Sequence, residues 1–187
     1  DTDIYKSDQA FTQGQMITVT GIDNLNEWWI DPDFFEKQSD GALKFLPING
    51  DYRVTANAVL KYFSVMALKD GKPAKLQDDG TGAIWAIGKG IGKPSVTSSE
   101  VGWEPSKALC LAQVASKKYQ LTLKAGETLK TSGDPEVISF KFFHQNDWGG
   151  EFGNYASSIL VEQLKLADSG NLEMQDNKAF EEGAVYR

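Results

Sequence analysis

The heptapeptide KYQLTLK, Lys118–Lys124, sets Tyr119, Leu121 and Leu123 against Lys118, Gln120, Thr122 and Lys124. That two-residue period gives a strand one apolar face for a core and one polar face for water. Downstream, FKFFHQNDWGGEFG at residues 140–153 opens in the same way, with Phe140 and Phe142 on one face and Lys141 and Phe143 on the other. Upstream, Gln15–Thr20 reads as a strand with Ile17 and Val19 inward, followed by Ala42–Leu46, Tyr52–Ala56, Tyr62–Leu68 and Ala83–Ile87. Ile159–Leu166 fits either a strand or a helix. Asn49-Gly50-Asp51 and the run Lys69–Pro73 supply turns. Many short strands, polar turns and little helical periodicity predict an all-β fold of immunoglobulin-like β-sandwich type. The polar stretch Leu76–Gly82, containing Asp78-Asp79-Gly80, reads as a linker between a smaller N-terminal β unit, residues 1–75, and a larger sandwich, residues 82–187.

The chain has 187 residues, enough to bury roughly 70% of its unfolded surface without a metal or a disulfide. Its net charge of −7 disfavours nucleic acid and anionic membranes, which select clustered Lys and Arg, so neutral ligands fit better. The single cysteine, Cys110 in ALCLA, forms no intrachain disulfide and reads as a small core residue. No run of eighteen apolar residues occurs, and DTDIYKSDQAF at the N-terminus lacks the basic and apolar regions of a signal peptide, so a soluble mature piece is expected.

Several motifs have plain readings. GKGIGKPS resembles a phosphate loop, but Pro94 follows the lysine where a helix should open with Ser or Thr. A lone histidine, His144, precludes a two-histidine zinc site, and no GxSxG elbow accompanies it. Asp31-Pro32-Asp33 and Asp78-Asp79-Gly80 offer calcium oxygens without EF-hand spacing and read as solvated turns. Paired carboxylates for glycoside cleavage can be drawn from Asp147 and Glu151, but acidic residues are common here and nothing in the sequence sets one in an apolar pocket. No cofactor or metal is indicated, and no enzyme activity is expected.

The stretch after Phe143 has different chemistry. His144, Gln145, Asn146 and Asp147 bring donors and acceptors, Trp148 brings a flat apolar plate, and Gly149 and Gly150 permit the positive φ that holds the plate outward. A pyranose offers a C–H face to stack and a belt of hydroxyls to bond, so Gln145, Asn146, Asp147 and Trp148 are candidate carbohydrate-binding residues. The rival reading of Trp148 is a core or hairpin tryptophan. Trp103, between Gly102 and Glu104-Pro105, is a second candidate in a turn context, and Tyr155 is a further ring. Of Trp28 and Trp29, neighbours in a strand, one should enter the core while the other faces solvent, so both stand as candidates. Trp85 alternates within a strand and reads as core.

Taken in order, AIWAIGKGIGKP, GWEPSKALCLAQVASKKYQLTLKAG, ISFKFFHQNDWGGEFG and SGNLEM resemble the repeated glycan-binding domains of SusE/SusF-type outer-membrane lipoproteins from starch-utilisation-like systems of gut Bacteroidetes. About a hundred residues follow the motif order. Leu43-Lys44-Phe45, GDYRV and KYFSV look like a preceding, shorter unit of the same kind. The resemblance implies a cell-surface lipoprotein that holds polysaccharide for a partner outer-membrane transporter and companion lipoproteins, without catalysis. It supports Trp148 by position. It also implies a closing strand beyond AFEEGAVYR, without which a sheet edge is left unpaired. Two other classes compete: a structural Ig-like spacer with every aromatic buried, and a glycoside hydrolase fragment using Asp147 and Glu151.

Overall fold

The computed structural model describes residues 3–131, 137–152 and 161–187. It is all-β, 42% strand against 6% helix, in antiparallel sheets with no closed barrel among the described residues, as a sandwich requires. The chain forms two compact units. One joins Asp1–Ala83 with Cys110–Leu121; the other joins Ile84–Leu109 with Thr122–Arg187.

In chain order the first unit carries β1 (Ile4–Phe11), β2 (Met16–Ile17), β3 (Phe35–Lys37), β4 (Leu43–Phe45), β5 (Gly50–Asn57), β6 (Tyr62–Lys69) and β7 (Lys72–Pro73). The second begins with β8 (Trp85–Gly92) and β9 (Glu100–Gly102). After β10 (Leu109–Cys110) the chain returns to the first unit for β11 (Ala112–Ala115) and β12 (Lys118–Gln120). The second unit then takes β13 (Leu123–Lys124), β14 (Ser139–Phe143), β15 (Leu164–Leu166), β16 (Leu172–Met174) and β17 (Val185–Tyr186).

The first unit pairs its strands as β1-β5-β6-β7 and β2-β4-β3, with β11 and β12 as a hairpin. The β5–β6 turn closes when Asn57 Oδ1 accepts the amides of Val59 (3.1 Å) and Leu60 (2.9 Å). This is the Asx arrangement that makes asparagine a turn former. Between the sheets, Phe11, Trp28, Phe34, Phe35, Phe45, Tyr52 and Phe63 form a continuous aromatic core with Leu43, Val65 and Ala112. Tyr52 is buried and donates its hydroxyl to the Ile48 carbonyl at 2.7 Å. Residues 77–81 are a held turn: Gln77 N donates to Thr81 O, while the Tyr119 hydroxyl and Gln113 Nε2 donate to Gly80 O.

The second unit runs β8-β14-β16-β15, with β9 also paired to β8. The glycine-rich stretch read from the sequence as a loop after Ile87 is instead the second half of β8. Its glycines are there for close approach. A Cβ on Gly88 would lie 2.3 Å from Phe140 Cα, and one on Gly92 would lie 2.3 Å from the Ser99 carbonyl. Neighbours therefore press on β8 from two sides, and only glycine admits both.

Other sequence expectations change here. KYQLTLK is not one strand: β12 and β13 are separated at Leu121-Thr122 and belong to different units. Thr122, expected on the wet face, is buried, its Oγ1 accepting from Arg187 Nε. Gln15–Thr20 contracts to β2, and β1, unread in the sequence, is the longer strand. Asp31 and Asp33 are buried rather than solvated, with Asp33 N donating to Asp31 Oδ1 at 3.0 Å. The ambiguous segment is strand over Leu164–Leu166; Ile159 and Leu160 lie outside the described residues. Val185–Tyr186, near the end of AFEEGAVYR, is itself a strand and pairs with Leu123–Lys124. Cys110 is buried.

Candidate functional site

Two strands that flank β8 carry the site. On one side β14 runs antiparallel to β8, with Phe143 opposite Trp85 and Phe140 opposite Gly88. The chain then doubles back. His144 N donates to Gly150 O at 2.7 Å, Phe143 bridges Glu151, and Phe152 N donates to Phe142 O at 3.1 Å. Gly149 (φ 86°) and Gly150 (φ 67°) supply the left-handed backbone that this reversal needs.

Within the reversal the polar side chains fasten the loop to itself. Gln145 Nε2 donates to Trp148 O at 2.6 Å, and Trp148 N donates to Asp147 Oδ1 at 2.7 Å. Both backbone polar groups of Trp148 are thereby satisfied locally, so the loop holds its shape without burying the indole. At the base, the His144 ring packs edge-on against Phe152 at 4.4 Å.

On the other side β9 pairs with β8 through Gly102 opposite Gly88. Trp103 follows directly, and Pro105 then opens a short 3-10 turn to Lys107 whose ammonium meets Glu104 at 3.2 Å. The two strands bring together tryptophans that are distant in sequence. Trp148 stacks on Trp103 with centroids 6.3 Å apart and planes at 25°, and its edge meets Phe143 at 6.1 Å and 71°. Offset stacking and edge-to-face contact are the favourable aromatic geometries. Trp148 is nevertheless 50% exposed, and Trp103 is half-buried behind it.

The arrangement is a supported apolar plate, preceded in the same loop by Gln145, Asn146 and Asp147. Asn146 makes no hydrogen bond to the described residues and keeps donor and acceptor capacity for a ligand. Asp147 and Glu151 are both exposed to solvent. Among the described residues no group of three His, Cys, Asp or Glu side chains is placed to hold a metal ion.

The remaining candidates separate by burial. Trp28 is 8% exposed and stacks on Phe63 at 4.8 Å in the first unit's core, which removes it as a ligand platform. Trp29 is half-buried, edge-on to Tyr62 at 6.4 Å, with its amide donating to Lys61 O. The two are not strand neighbours, since they follow a 3-10 turn at Leu25–Glu27. Tyr155 lies outside the described residues. Trp85 is buried. Sequence reasoning named Trp103 and Trp148 separately and missed their partnership. The only local signal was the glycine content of β8, which lets both neighbouring strands come close.

Fold and site together define an all-β chain that presents a backed aromatic plate at the turn of a hairpin. Residues 79–187 match the family described as a domain of unknown function, DUF5121, and the chain belongs to that family. Residues 1–76 match a second domain of unknown function, DUF5125. No curated protein and no solved structure matches the chain. No helix among the described residues is long and apolar enough to cross a membrane.

Proposed function

We propose that this chain is a non-catalytic glycan-binding protein of SusE/SusF type. Held at the outer-membrane surface as a lipoprotein, it retains polysaccharide or oligosaccharide for a partner transporter and companion lipoproteins. The observation that carries the reading is the half-exposed Trp148 plate stacked on Trp103, with Gln145, Asn146 and Asp147 directly before it in the same loop. Stacking on an exposed ring contributes ~1–3 kcal/mol if sugars behave as nucleobases do, and hydrogen bonds add direction. One site of this kind binds with about micromolar to millimolar affinity, and repetition along a polymer turns that into firm retention.

A plate left in solvent argues against a spacer whose aromatics are all buried. Exposed carboxylates at Asp147 and Glu151 argue against the hydrolase reading. Affinity electrophoresis against starch, xyloglucan, mannan, levan, xylan and host glycans tests the proposal. At least one polymer should retard the protein, release no reducing ends, and lose its hold on Trp148→Ala. Failure of every polymer to retard the protein sinks it.

A further inference from the structure

The strand β1 is the open edge of its sheet: the order is β1-β5-β6-β7, and among the described residues β1 pairs only with β5. Seven of its eight residues are exposed, Phe11 alone being buried. Opposite residues of an antiparallel pair share a face, so the register Tyr5↔Ala56, Ser7↔Val54 and Gln9↔Tyr52 sets Tyr5, Ser7 and Gln9 on the face that carries the core. Yet Tyr5 is 64% exposed. Beside it, within the same unit, an open cleft of ≈ 360 Å³ is floored by Phe11, Val19, Phe35, Leu43, Val54 and Phe63. An unpaired edge next to an uncovered apolar floor is a template for an added strand.

The sequence of the edge selects its partner. IYKSDQAF laid antiparallel on a copy of itself about Ser7 sets Ile4 opposite Ala10, Tyr5 opposite Gln9 and Lys6 opposite Asp8. Each Lys6–Asp8 pairing occurs twice by symmetry. Opposite charges face each other in that register, and a slip of one residue separates them. Asp8 already accepts a bidentate bond from Arg53 (2.7 and 2.8 Å), which orients its carboxylate. We propose that β1 docks a second copy of this chain edge to edge, making one continuous sheet across a two-fold axis and covering the cleft. The contact is isologous, so it closes at a dimer. A dimer carries two Trp148 plates, which raises avidity for a polymer without any new sugar contact.

Sedimentation velocity over a concentration series is the first measurement, with a reversible monomer–dimer equilibrium expected. Lys6→Glu places like charges across the axis twice and should weaken the dimer about tenfold or more. Ser7→Cys supplies a positive test. Residues directly opposite in an antiparallel pair lie about 4.5–5.5 Å apart at Cα, within disulfide reach. Mild oxidation should therefore give a covalent dimer, while Tyr5→Cys, displaced from its own copy by about 13 Å along the strands, should not crosslink. The native Cys110 is buried and does not compete. A protein monomeric at every concentration overturns the proposal, as it would be if an unrelated chain fills the edge. So does a dimer that is indifferent to Lys6→Glu, or one that crosslinks through Tyr5→Cys and not through Ser7→Cys.

Discussion

The aromatic core of the first unit and the Trp103–Trp148 pair of the second put their rings to opposite uses. In the first, Phe45 meets Phe11 at 4.7 Å and Tyr52 at 4.8 Å, Phe35 joins Phe45 at 6.1 Å, and Trp28 closes on Phe63, so these rings are core. In the second, Trp85, Phe140 and Phe143 are equally buried, but Trp103 and Trp148 stack on each other and leave half of one indole in water. The backbone on which a ring stands decides between these fates. Trp85 belongs to a strand pressed between neighbours, whereas Trp148 sits in a loop whose own side chains have satisfied its amide and carbonyl. A ring whose backbone needs nothing further from the core is free to serve a ligand.

Substituting rings in the two settings is the sharpest way to break this contrast. Trp28→Ala should lose about 3–5 kcal/mol of stability, measured by denaturant unfolding, because it empties the core beside Phe63. An unchanged midpoint would show that the ring is dispensable. Within the second unit, Gly88→Ala should cost about 1–3 kcal/mol or more. Its Cβ would collide with Phe140 Cα and the Ser139 carbonyl, and its φ of 143° is strained for an L-residue. A stable Gly88→Ala protein would mean that β14 does not press on β8, and the basis for joining Trp103 to Trp148 would go with it.

Trp148→Ala should behave the other way round. The expected cost is ~1–3 kcal/mol in glycan binding, roughly five- to 150-fold in affinity by retardation or titration, with little change in melting temperature. A large fall in melting temperature would place Trp148 with the core rings instead.

The smallest expected effect is on pH dependence. Burial pushes the Tyr52 hydroxyl well above the ordinary tyrosine value, and burial likewise pushes Tyr119 up to about 12. Both belong to the first unit. A raised pKa in the folded state means that the unfolded chain ionises first, so this contribution is complete below pH ~10 and falls as pH rises from there toward 12. Near-ultraviolet dichroism against tyrosinate absorbance follows it. Ionisation of these tyrosines near pH 10 without loss of the fold would show that their hydroxyls are open to water.

Much of the architecture was legible. Tyr52–Ala56, Tyr62–Leu68 and Phe140–Phe143 lie within observed strands, because a strand half in water must alternate and alternation is local. The polar loop before Gly149-Gly150 was legible for the same reason, since positive φ and short polar side chains are properties of single residues. Other features were illegible in principle. Seven of the residues of β1 are exposed and show no apolar period, so the strand exists only through its hydrogen bonds to β5. β8 looks like a loop because its glycines answer to neighbours that the chain reaches only later.

Sequence alone therefore determined that the chain is all-β, that its cysteine and Trp85 are core, and that a tryptophan stands in a polar turn. Each follows from composition or from a period of two residues. Tertiary structure decided which tryptophans meet, which enters the core, and to which unit Cys110–Leu121 belongs. Those outcomes depend on strand pairing between distant segments, where the gain comes from surfaces closing on each other. No residue carries that information by itself: Trp103 becomes a backing for Trp148 because β9 and β14 both pair with β8 and meet it together at Gly88.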